Sequence, residues 1–264
     1  METLGLLAWG ANGWGDEIAE GVLVTVTLAL ATLPFGLLLG LLVAIAKNSS
    51  SWLLRAIGDG YTTVFRGLPE LLTIFIVYYG GQMLLQSAVE SFNQGVGAVL
   101  QLLTDWGAGF EAETIEAWTD GGEAVQVNGF VAGMFALGVV FSAYSSEVFL
   151  GAFRGISSGQ VEAARSLGLS RGLAFRLVVL PQLWRFALPG VSNLWLILLK
   201  DTSLVSVIAL PDLLRMSFVA AGVTKQHFLF YLVACLIYLV LSMISSVGIG
   251  RIEAWSARGE RRIG

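Results

Sequence analysis

Residues 21–46 read GVLVTVTLALATLPFGLLLGLLVAIA, with no charge between Glu20 and Lys47. A helix needs about 20 apolar residues to cross the hydrocarbon core of a bilayer, so this stretch predicts a membrane span. The same test finds four more runs. These are residues 71–89, with a helix start as early as Tyr61; residues 129–146, resuming past Glu147 to Phe153; residues 186–199, continuing through Lys200 and Asp201 to Leu210; and residues 227–250. The expected fold is all-α, a polytopic membrane protein with about five transmembrane helices in a single domain over residues 1–264, its core at 20–250. A β-barrel is disfavoured because the apolar residues come in long runs rather than alternating segments of about ten.

Composition agrees. Of 264 residues, 56% are hydrophobic and 13% charged, against about 25% charged in soluble proteins. That charge cannot cover a water-facing surface of this size, which excludes a soluble enzyme. One Cys excludes a disulfide framework or a Cys-based metal cluster. A net charge of −4 speaks against nucleic acid, which favours a basic face.

Orientation follows from the basic residues. Residues 47–66 carry Lys47, Arg55 and Arg66; residues 154–185 carry Arg154, Arg165, Arg171, Arg176 and Arg185; the tail carries Arg251, Arg258, Arg261 and Arg262. These segments alternate correctly for five spans, so the positive-inside rule places the N-terminus outside and the C-terminus in the cytoplasm. No cleavable signal peptide is expected, because no basic region and apolar core precede Glu20. The opposite segments are acidic: Asp16, Glu17 and Glu20 at the start, then Glu90, Asp105, Glu111, Glu113, Glu116, Asp120 and Glu123. They read either as simple solvation or as a funnel that concentrates cations. Gly36 with Gly40, and Gly129 with Gly133, have the spacing that permits close helix contact.

The segment between the third and fourth spans reads GISSGQVEAARSLGLSRGLAFRLVVL over residues 155–180, then Pro181. Ser157, Ser158 or Gly159 can open a helix, with Glu162 in its first turn. Val161, Ala164 and Leu167 share a face. Gly168 is a stop, and Pro181 punctuates entry to the next span. The segment suits a knob offered to a soluble partner or an amphipathic helix on the inner leaflet; periodicity alone does not separate the two.

Glu162-Ala163-Ala164, three residues, Gly168, nine residues, Val178, one residue, then Leu180-Pro181 resembles the EAA loop of bacterial ABC-importer permeases. The family pattern has isoleucine at the place of Val178. YTTVFRGLPE at residues 61–70, Tyr78-Tyr79-Gly80, AYSSEVFLGA at 143–152 and LKDTSL at 199–204 are similar to the polar amino acid branch. The closest resemblance is to permeases for histidine, other cationic amino acids and opines. Leu150 departs from an Arg common there. The resemblance implies the type I importer permease fold, with Gly159, Glu162, Ala163, Ala164 and Gly168 docking on a cytoplasmic ATPase. It also implies pairing with an identical or paralogous permease, and a periplasmic binding protein that delivers the amino acid. The chain lacks a G-x-x-x-x-G-K-[ST] phosphate loop. ATP and Mg are therefore expected on the ATPase, with no catalytic residue, cofactor or metal on this chain.

Ionisable residues at membrane depth are functional candidates by default. Glu70 reads as a stabiliser of a helix N-terminus, or as a contact for a cationic substrate or gate. Glu147 reads as the partner of Arg154 or Arg66, or as a reader of a substrate ammonium or guanidinium. Lys200 suits a substrate carboxylate and Asp201 a cation; adjacent helix positions do not face each other, so a private pair between them is not assured. Asn193, Thr202 and Ser203 add hydrogen-bonding capacity, as ligands or as packing glue. His227 has no metal partner at useful spacing, and Cys235 is expected to be a small buried residue of the last span. An intramembrane enzyme would need a nucleophile with a base, or a metal motif, and neither is visible. A gradient-driven carrier or channel often shows repeated halves, and none is visible.

Overall fold

The computed structural model describes residues 5–10, 13–105, 128–208 and 210–256. The acidic stretch from Glu111 to Glu123 and the basic tail residues Arg258, Arg261 and Arg262 lie outside these residues. Among the described residues the regular elements are all helical. They are α1 (Gly15–Lys47), α2 (Trp52–Gly67), α3 (Glu70–Leu103), α4 (Gly129–Gly155), α5 (Ser158–Ser166), α6 (Arg171–Ala174), α7 (Leu180–Asp201), α8 (Leu213–Thr224) and α9 (His227–Ser256). A π-helical turn, Phe175–Val179, joins α6 to α7, and a 3-10 segment, Thr202–Ile208, continues α7. Five helical stretches are long and apolar enough to cross a membrane: α1, α3, α4, the run Arg171–Ile208, and α9.

One boundary differs from the sequence expectation. The second span does not start near Tyr61: α2 is a separate helix ending at Gly67, and α3 starts at Glu70. Pro69 excludes the α region for the residue before it, and Leu68 is accordingly extended at φ −89°, ψ 147°. Pro181 marks entry to the fourth span, as its place in the sequence predicts. It sits at the start of α7 directly after the π turn. Proline has no N–H and its ring crowds the carbonyl four residues back, so the chain widens by one residue there instead of breaking.

The bundle is centred on α1 and α4, which pack along most of their lengths. Glycines set the separation. A Cβ on Gly36 would lie 2.5 Å from Phe141 Cδ1, and one on Gly40 would meet Ser145 Oγ and lie 2.9 Å from the Ser142 carbonyl. The close approach lets Ser145 Oγ donate to the Gly36 carbonyl at 3.3 Å, a polar contact between spans. Gly133 serves the 3-10 segment, where its Cβ would lie 2.8 Å from Val205 Cγ1. Leu28, Ile74, Leu137, Phe141, Leu198 and Val205 form the central core.

α8 docks by its N-terminus on α1. Asp212 is fully buried and accepts the Leu214 and Arg215 N–H groups, while the Leu213 N–H donates to Thr25 Oγ1 at 3.1 Å. The orphan donors of that helix end are thus met inside the protein. α9 buries only Phe230 and Ala234; most of its surface stays open. Cys235 is exposed for that reason and is not the buried residue expected.

Candidate functional site

Three groups of predicted residues occupy three places. The first is α5. Ser157 precedes it in extended conformation, and Leu167 closes it. Gly168 adopts φ +84°, its N–H donates to the Arg165 carbonyl at 2.9 Å, and the Leu169 N–H donates to the Ala164 carbonyl at 3.2 Å. This paired closure with a left-handed glycine is the Schellman stop, and it ends the helix abruptly. Gly159, Glu162 and Ala163 are exposed, whereas Ala164 is buried at 5%. The small Ala164 therefore seats α5 on its own protein, and Glu162 and Ala163 look outward. Leu167 leaves the face shared with Val161 and Ala164, because the last turn unwinds, and it stands 83% exposed. The helix tip thus presents a bare leucine that spacing alone assigned to the inner face.

The second place is a charge hub at the end of α1. Lys47, with its side chain only 7% exposed, bonds Glu147 on α4, Asp59 on α2 at 3.2 Å, and Thr62 Oγ1 at 3.0 Å. Glu147 also meets Arg66 at 3.6 Å. Its cations are thus Lys47 and Arg66, and Arg154 is not among them. Lys47 was read from sequence only as an orientation marker. One lysine now ties three helices together, which sequence separations of 12 to 100 residues conceal.

The third place is a cavity between α3, α4 and α7. Glu70 and Asp201 line it with Tyr144, walled by Ile74, Leu137, Phe141 and Leu198. Its enclosed space is about 20 Å³, roughly one water. The Arg66 guanidinium lies 5.6 Å from the centre of the Tyr144 ring, within range of a cation–π contact, so Arg66 links the hub to the cavity. Two carboxylates and a phenol in an apolar wall favour a cation. Tyr144 was not singled out from sequence; in a helical wall a lone tyrosine carries no signal until its neighbours are known.

The remaining candidates separate. Asn193, Ile197 and Lys200 are exposed one turn apart on α7; of the three Ile197 lines the cavity, whereas Asn193 and Lys200 do not. Thr202 is fully buried and donates to the Leu199 carbonyl at 2.8 Å; Ser203 donates to the Lys200 carbonyl at 2.7 Å. Both hydroxyl protons are consumed within the helix.

Comparison with known proteins gives the same architecture. The family described as binding-protein-dependent transport system inner membrane component matches residues 36–256. The nopaline transport system permease protein of Agrobacterium fabrum is 41% identical over 98% of both chains. The octopine transport system permease protein of Rhizobium meliloti is 37% identical over 99% of both. A crystal structure of an amino acid ABC transporter with histidines superposes with a TM-score of 0.68 at 27% identity, over 91% of this chain and 94% of that one. With the five spans, the helix-and-stop after the third, and a matched region covering most of its length, the chain belongs to the binding-protein-dependent transport system inner membrane components.

Proposed function

We propose that this chain is the permease subunit of an ATP-driven importer that carries a cationic amino acid or an opine across the inner membrane. The observation that carries the reading is α5, a nine-residue helix with a glycine stop whose outward residues are Glu162, Ala163 and Leu167. It sits at the basic end of the bundle, where Val161 shares a groove with Asn48 and Phe153, the residues next to Lys47 and Arg154, and this is the cytoplasmic end under the positive-inside rule. A cytoplasmic ATPase dimer, using ATP and Mg, grips this helix. A periplasmic binding protein presents the solute at the opposite end, and an identical or paralogous permease completes the pathway.

Movement of α5 is passed on through α6, the π turn and α7, which form one continuous helical run from Arg171 to Ile208. That run carries Asp201 at its far end, opposite Glu70 at the start of α3. Alternating access then opens and closes the space between them. Each carboxylate offers an acceptor to an ammonium or guanidinium, and the apolar wall keeps water from competing. The substrate class rests on these two carboxylates and on the nopaline and octopine relatives.

The test is uptake into vesicles by the chain assembled with its ATPase, permease partner and binding protein. Asp201→Asn and Glu70→Gln are each expected to lower arginine transport about tenfold, the equivalent of one charge-assisted hydrogen bond, and to leave a neutral amino acid nearly unaffected. Uptake that follows a cation gradient and ignores ATP would overturn the importer reading. Equal losses for charged and neutral solutes would overturn the carboxylate assignment alone.

A further inference from the structure

A groove of about 530 Å³, open on one side to its surroundings, runs between the start of α7 and the end of α9. Pro181, Trp184, Arg185 and Leu188 form one wall, and Ile252 and Trp255 the other. On α7 these residues fall at i, i+3, i+4 and i+7, a single stripe. The two walls lie at one depth. Arg185 immediately precedes the charge-free run that opens at Phe186, and Arg251 immediately follows the one that ends at Gly250. The groove therefore marks the height at which both helices leave the hydrocarbon.

Its chemistry is graded in the same direction. Trp184 is 40% exposed and Trp255 71% exposed, and tryptophan is the residue favoured at headgroup level. Trp184 is held from behind, edge-on to the fully buried Phe149 with ring centres 5.6 Å apart, so its wall is formed in advance. Arg185 is exposed and lines the space; its planar fork matches phosphate oxygens. Arg251 stands one turn before Trp255, on the same side of α9. Arg251 and Glu253 flank Ile252 on its two sides, and neither lines the groove, which Ser256 also borders. The positive charge on the groove thus has no carboxylate among its lining residues.

We propose that this groove is a binding site for a phospholipid with an anionic headgroup. The phosphate lies on Arg185, the glycerol region lies between Trp184 and Trp255, and an acyl chain runs along Leu188. A basic pocket between spans at the membrane surface is the recurrent form of such sites. The site needs only that this end of the bundle lies at a membrane surface. It stands or falls separately from the transport reading.

The experiment is native mass spectrometry of the full chain, purified in detergent with equal amounts of phosphatidylglycerol and phosphatidylcholine. The wild type is expected to retain phosphatidylglycerol about fivefold over phosphatidylcholine, the worth of one arginine near the surface. Arg185→Gln should remove that preference, Arg185→Lys should keep most of it, and Trp255→Leu should lower retention of both lipids. Arg176→Gln, which is exposed but does not line the groove, should change nothing. Helical circular dichroism and elution position establish that each variant is folded; should Arg185→Gln misfold, the lysine and Trp255 variants carry the test. No preference in the wild type overturns the proposal. So does an unchanged preference in Arg185→Gln, or an equal loss in Arg176→Gln.

Discussion

Glu162→Lys is expected to reduce ATP-coupled uptake about 100-fold, while the chain still inserts and folds. Glu162 is exposed on α5, and its carboxylate joins no ion pair among the described residues. Removing it therefore costs this protein almost nothing internally. Under the proposed docking on an ATPase the substitution does two things at once: it removes an acceptor and reverses the charge offered to the partner. Central contact residues of this kind carry 2 kcal/mol or more, and about 2.7 kcal/mol is a 100-fold change. Transport, ATP hydrolysis stimulated by substrate, and copurification with the ATPase give three readouts. Gly168→Ala provides the companion. At φ +84° an added Cβ costs about 1–2 kcal/mol, so the helix end frays and uptake falls by a smaller factor. Full coupling in Glu162→Lys would remove α5 from the role of contact helix.

Gly40→Ala is expected to lower the stability of the folded bundle by about 2–3 kcal/mol, the upper range for overpacking a tight interface. One methyl group suffices because of what it meets. Ser145 Oγ can rotate away, but the Ser142 carbonyl, 2.9 Å from the new Cβ, belongs to the α4 backbone. α1 and α4 must then separate, and the Ser145 to Gly36 hydrogen bond is lost with them. Gly60→Ala is the control, since no atom lies within 4 Å of a Cβ there, and in a helix alanine is favoured over glycine by about 1 kcal/mol. Thermal unfolding in detergent, followed by circular dichroism, should show the first variant melting well below the second. Equal melting temperatures would mean that the two helices are not held at the separation described.

The spans were legible because hydrocarbon tolerates so few residue types. Five apolar runs, the third interrupted by Glu147 and the fourth by Lys200 and Asp201, and the alternation of Lys and Arg between them are one-dimensional signals that need no contacts. The stop at Gly168 was legible too, because only a left-handed residue lets the Arg165 and Ala164 carbonyls find donors at a helix end. The break between α2 and α3 was missed although its cause, Pro69, stood in plain view. Hydropathy records no interruption there, and only the extended backbone at Leu68 shows that the chain turns.

The sequence by itself determined the all-helical membrane fold, the number of spans, the basic end and the short helix with its glycine stop. All of these follow from local composition against the bilayer, or from backbone geometry within a few residues. Only the tertiary structure decided which charges meet. Glu147 pairs with Lys47, 100 residues away, and not with Arg154 seven residues on. Glu70 and Asp201 share one cavity with Tyr144, while Lys200, next to Asp201 in the chain, is exposed and does not line it. The reason is that a helix turns its face by about 100° per residue. The partner of each polar group is therefore set by how the helices pack, and that packing rests on glycines such as Gly36 and Gly40, whose importance lies in the side chains they lack.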